Sequence, residues 1–83
     1  MSSRQRNNDV YEIISKNVTK YRKEANMTQE ELAMKANYCH QFIRRIEAPN
    51  SKKNFSIDAV SNIANALEID IELLFEKKDR ENS

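Results

Sequence analysis

Within six residues this chain places His40, Gln41, Arg44 and Arg45, four side chains ending in nitrogen donors, at spacings that gather them on one side of a helix. Donors held that way pair with flat, polar targets. An arginine can make two hydrogen bonds to guanine O6 and N7 and a glutamine two to adenine, each pairing discriminating by about 1–3 kcal/mol. Ser51, Lys52, Lys53 and Asn54 follow closely, and their hydroxyl, ammonium and amide groups suit sugar-phosphate oxygens, giving affinity that falls with salt. Phe42 lies on the same helix and reads as an exposed aromatic, for which a thymine methyl group offers a contact.

This is chemistry of recognition, not of turnover. The one histidine, His40, and the one cysteine, Cys39, are neighbours with no suitably spaced carboxylate, and a chain without glycine has no glycine-rich phosphate loop. An enzyme is therefore not expected. Two adjacent residues are also an incomplete set for structural zinc, which takes about four ligands, so neither a metal nor a cofactor is expected, nor a small-molecule ligand. Cys39 reads as a small residue tolerated at a helix start. Alone, it can form no internal disulfide, which fits a reducing cytoplasm.

The elements that must position these donors are helical. Val10, Ile14, Val18, Tyr21 and Ala25 recur every three or four residues, the stripe of an amphipathic first helix ending near Asn26. Thr28 followed by Glu31 forms a capping box opening a second helix, whose inner side is Leu32, Ala33 and Ala36. After a break at Asn37 and Tyr38, the third helix begins at Cys39, with Ile43 and Ile46 inward. A polar loop follows from Ala48 to Phe55, holding Pro49 and Asn50. Ser56 caps a fourth helix with the stripe Ile57, Val60, Ile63, Ala64 and Leu67, and Asp70 caps a last short one. Asn26, Asn37 and Asn50 stand where tight turns need a left-handed residue, and asparagine tolerates that region best after glycine. Residues 1–8 read as a disordered arm, 9–76 as one all-α domain, and 77–83 as a flexible tail.

At 83 residues there is room for one modest core, and no apolar run approaches the roughly 20 residues that span a bilayer. The net charge of +1 hides an asymmetry: residues 1–54 carry 11 Lys/Arg against 6 Asp/Glu, residues 55–83 only 3 against 7. The basic part is the part that carries the donors.

With Arg22-Lys23-Glu24, Met27 through Ala33, Ile43-Arg44-Arg45-Ile46-Glu47, Ile63 through Leu67 and Leu74-Phe75 in this order, the chain resembles the Cro and phage-repressor type of helix-turn-helix domain. This is the XRE-like family of prokaryotic and phage transcription regulators, and the match runs over about residues 10–76. In size the chain is also similar to the controller proteins of restriction-modification systems. The resemblance implies a five-helix, lambda-repressor-like fold with the second and third helices as the helix-turn-helix, the third lying in the major groove of double-stranded DNA. It implies base reading by His40, Gln41 and Arg45, with Arg44 beside them able to reach a base or a phosphate, a phosphate contact by Gln29, and a structural pair between Arg22 and Glu47. Phe42 joins the base-reading set and Thr28 the phosphate-binding set on their own chemistry and placement, not from the family pattern. Where the family has Ser, Thr or Asp this chain has Cys39, and where it has glycine this chain has Asn37 and Glu68.

One such module reads few base pairs, and two-fold dimers set two reading helices about 34 Å apart. A homodimer on a palindromic operator is the expectation, with Ile69, Ile71, Leu73, Leu74 and Phe75 as its interface. Such a protein regulates transcription with no ligand domain. The competing expectation is an antitoxin or adaptor whose main role is protein-protein interaction along the acidic carboxy-terminal side.

Overall fold

The computed structural model describes residues 6–48 and 55–76 and contains five helices: α1 (Arg6–Glu24), α2 (Gln29–Ala36), α3 (His40–Glu47), α4 (Ile57–Leu67) and α5 (Ile71–Leu74). The loop donors Ser51, Lys52, Lys53 and Asn54, with Pro49, Asn50 and the tail 77–83, lie outside the described residues. Helix α1 starts at Arg6, so the last three residues of the expected arm are helical. Nothing in the sequence between Arg6 and Val10 breaks a helix.

Three of the helices end in the same way. Asn26, Asn37 and Glu68 have φ of 58°, 67° and 62°, the left-handed region. In each case the next residue donates its N–H five residues back: Met27 to Arg22 at 3.1 Å, Tyr38 to Ala33 at 2.8 Å, Ile69 to Ala64 at 3.0 Å. That pattern is the Schellman closure, which satisfies carbonyls the helix end leaves unpaired. Met27, Tyr38 and Ile69 are all apolar or aromatic and all pack partly buried on the core, so each closure also pins the chain where it turns.

Glu68 is the costly one of the three, because an ordinary side chain in the left-handed region lacks the local compensation asparagine provides. Its ion pair with Lys35, at 3.8 Å between exposed groups, returns little. Glu68→Gly should therefore raise stability by about 0.5–1 kcal/mol, the relief of strain outweighing glycine's greater freedom in the unfolded chain. Thermal unfolding should show a rise of a few degrees, with no gain for Glu68→Ala.

The core is drawn from every helix: Ile14 and Val18 of α1, Leu32, Ala33 and Ala36 of α2, Ile43 and Ile46 of α3, Val60, Ile63, Ala64 and Leu67 of α4, and Leu74 of α5. Two members of the expected first stripe fall outside it. Val10 is 41% exposed and Ala25 is exposed beyond the helix end. In their place α1 buries two polar residues, each satisfied by a distant carbonyl. The Ser15 hydroxyl donates to Ile46 O at 2.7 Å, and Asn17 Nδ2 donates to Leu74 O and Glu76 O, both at 2.8 Å. A buried polar group left unpaired would cost about 1–3 kcal/mol, and among the described residues no buried side-chain nitrogen or oxygen lacks a partner. Ser15 thus ties α1 to the end of α3, and Asn17 ties it to the end of α5.

Candidate nucleic-acid interface

Helix α2 opens on the capping box: Thr28 Oγ1 accepts from Glu31 N at 3.0 Å and Glu31 Oε1 accepts from Thr28 N at 2.8 Å. The Thr28 oxygen is committed, while its hydroxyl proton can still be donated outward. After the Asn37 closure, three residues from 37 to 39 turn the chain into α3, whose cap, Cys39, is exposed and makes no side-chain hydrogen bond.

Along α3 the partition is sharp. Ile43 and Ile46 are buried, Phe42 and Glu47 are half-buried, and His40, Gln41, Arg44 and Arg45 are exposed. At about 100° per residue the exposed four span an arc of about 140°. Among the described residues their side chains have no hydrogen-bond or ion-pair partner, so the donors point outward uncommitted. The exposed acids among the described residues all sit on other elements: Glu24 at the end of α1, Glu30 and Glu31 in the first turn of α2, and Asp58, Glu68, Asp70, Glu72 and Glu76 on α4 and α5 or beside them.

The helix that carries these donors is held at its carboxyl end by one carboxylate. Glu47 accepts Arg22 Nε at 2.7 Å on Oε2 and Arg22 Nη2 at 3.0 Å on Oε1. Gln29 Nε2 also donates to Oε1, at 2.9 Å, while Arg22 Nη1 donates to Met27 O at 2.8 Å. Three helices therefore meet on Glu47. Side-chain exposures of 12% for Arg22 and 6% for Glu47 keep water from competing, and the two-pronged geometry sets the angle of the guanidinium. Gln29, read from the sequence as a phosphate contact, spends one of its amide N–H groups here, leaving the other N–H and its carbonyl oxygen.

Two readings of single residues change. Phe42 is not the exposed aromatic expected of it: its ring packs on the core and against Tyr38, with centroids 4.5 Å apart and planes 35° apart. The backbone turn brings Tyr38 back over the first turn of α3, which a helical pattern alone does not reveal. Leu74 cannot serve an interface, because it is 0% exposed in the single chain, packed in the core under the Asn17 clamp. Ile69, Ile71 and Leu73 are half-buried, and Phe75 is 38% exposed.

The sequence reading missed a second surface. Val10, Tyr11, Ile14, Phe55, Ile57, Val60 and Phe75 line an open apolar groove of about 380 Å³ where α1, α4 and α5 meet. Tyr11 and Phe55 meet edge to face across it, 5.0 Å between centroids. The exposed phase of the α1 and α4 stripes was the available signal, since Ile57 at the start of α4 is 62% exposed. Among the described residues there is no group of three or more His, Cys, Asp or Glu able to hold a metal, and no helix long and apolar enough to cross a membrane.

Two eight-residue helices joined by a three-residue turn, the second one bolted to the core and presenting unpaired cationic and amide donors, define a helix-turn-helix DNA-binding domain. A helix-turn-helix family model matches residues 18–74, and the chain belongs to that family, a DNA-binding transcriptional regulator of the XRE-like type. Among solved structures it is similar to the crystal structure of a tyrosine-to-alanine mutant of the restriction-modification controller protein C.Esp1396I. That match has 32% identity and a TM-score of 0.73 over 88% of this chain and 92% of the other. No curated protein matches the chain.

Proposed function

We propose that this regulator binds a palindromic operator as a homodimer, one α3 per half-site. His40, Gln41, Arg44 and Arg45 read base edges, with Phe42 adding an apolar contact at its outer edge. Thr28, Gln29 and the loop residues Ser51, Lys52, Lys53 and Asn54 hold phosphates. The observation that carries this reading is the contrast on α3: four outward donors without partners among the described residues, on a helix whose other side is locked by Glu47, Ser15, Ile43 and Ile46. The similarity to a restriction-modification controller supports a small regulator whose operator occupancy follows its own concentration. Recovery of bound duplexes from a random pool tests it. A two-fold-symmetric consensus is the expected result, and a pool that stays unenriched sinks the proposal.

The dimer surface proposed here is the apolar groove, in place of the α5 surface expected from Ile69, Ile71, Leu73, Leu74 and Phe75, of which Leu74 is sealed in the core and only Phe75 also lines the groove. Ile57, Val10 and Phe75 stand exposed around a hollow, so a two-fold axis beside it lets each copy's projecting side chains enter the other's groove. The groove is built by α1, α4 and α5, and leaves the outward side of α3 open. Ile57→Glu should give a monomer by sedimentation and weaken operator binding at least tenfold, since a half-site alone binds poorly. A dimer that persists in this variant places the interface elsewhere.

A further inference from the structure

We infer that Tyr38 and Asn62, neither of them among the base-reading residues, are positioning residues that set the angle at which Phe42 meets DNA, an inference that rests on α3 being the reading helix. Tyr38 lies in the turn before α3, Asn62 on α4. Asn62 Nδ2 donates to the Tyr38 hydroxyl at 2.9 Å, and the Tyr38 ring lies against Phe42 at 4.5 Å. The chain of contact therefore runs from α4 through the turn to an aromatic side chain on the reading helix.

Both rings are partly buried, with one side of each on the core. An aromatic ring has only two side-chain torsions, and packing on the core restrains one of its faces. The Tyr38 ring restrains Phe42 on another side. What remains is the swing of Tyr38 itself, and the hydrogen bond to Asn62 removes it. Asn62 is exposed, and its amide has no other side-chain partner among the described residues, so the bond does no work for the core. Its consequence is directional. A ring edge held at one angle can meet a thymine methyl group, whereas a swinging ring presents a blurred apolar surface that cannot tell thymine from other bases.

The test uses the tightest duplex recovered from the random pool, with each thymine replaced in turn by deoxyuridine, which removes the 5-methyl group alone. In the unaltered protein one replacement per half-site should weaken binding about fourfold, the value of one buried carbon group. In Phe42→Ala the same replacement should have no effect. In Tyr38→Phe, which removes only the hydroxyl and keeps the partly buried ring, and in Asn62→Ala, at an exposed residue, Phe42 stays in place and the factor should fall below about twofold. The dependence of affinity on salt should stay as it was, because no phosphate contact is lost. A merely structural role for Tyr38 and Asn62 would lower affinity for the thymine and uracil duplexes equally. Undiminished methyl sensitivity in both variants overturns the inference. So does a duplex in which no thymine methyl matters to the unaltered protein, and in that case the DNA-binding reading, which stands on recovery of the duplex, survives.

Discussion

Glu47→Ala should destabilise the fold by about 3 kcal/mol, more than any change on the outward side of α3, because it strands Arg22 with its charge nearly buried. For a chain of this size that lowers the midpoint of thermal unfolding by about 12 °C or more. The loss has two parts that a second variant separates. Replacing both members of a buried pair by apolar residues is often close to neutral, so Arg22→Met with Glu47→Leu should recover most of the stability. It should not recover operator binding, because the two-pronged contact and the Gln29 bond that orient the end of α3 are gone. A double variant that folds as well as the parent and binds operator equally well would show that the network has no part in aiming the reading helix.

Arg45→Ala is expected to act in the opposite way, leaving unfolding unchanged and weakening specific binding by about 10- to 100-fold, the equivalent of about 1–3 kcal/mol. Arg45 is exposed with no partner among the described residues, so its removal strands none of them. As a base contact, its loss should flatten preference at one base pair per half-site while the salt dependence of binding holds. Arg44→Ala is the comparison. Should Arg44 grip phosphate, affinity falls alike for all sequences and the slope of log affinity against log salt shrinks by about one. Equal loss on specific and random duplexes in Arg45→Ala would remove it from the set of base-reading residues.

What was legible in the sequence was what depends on neighbours along the chain. The Thr28 and Glu31 box is a four-residue device, and Asn26 and Asn37 announce left-handed turns by residue type. The inward pair Ile43 and Ile46 follows from helical period, and with it the outward arc of α3. Arg22 and Glu47 could be paired only through the family resemblance, because nothing local joins residues 25 apart. Ser15 and Asn17 were illegible for a related reason. They sit beside Ile14 and Val18 and look like the polar edge of a stripe, until α3 and α5 close over them and supply the carbonyls they need. Val10 and Leu74 show the same limit from the apolar side. Both fit helical periodicity equally well, yet one ends exposed and the other sealed, since burial is decided by which helix arrives opposite.

The Ser15, Asn17 and Arg22 anchors on α1 have a consequence for synthesis. Their partners lie 31, 57 or 59, and 25 residues later, so the first helix of this domain carries polar groups that wait for elements made much later. Until Glu76 has been made and has emerged, α1 cannot close over the end of α5. A nascent chain that already contains both helices of the DNA-binding motif thus still lacks the clamp that ties α1 to the end of α5.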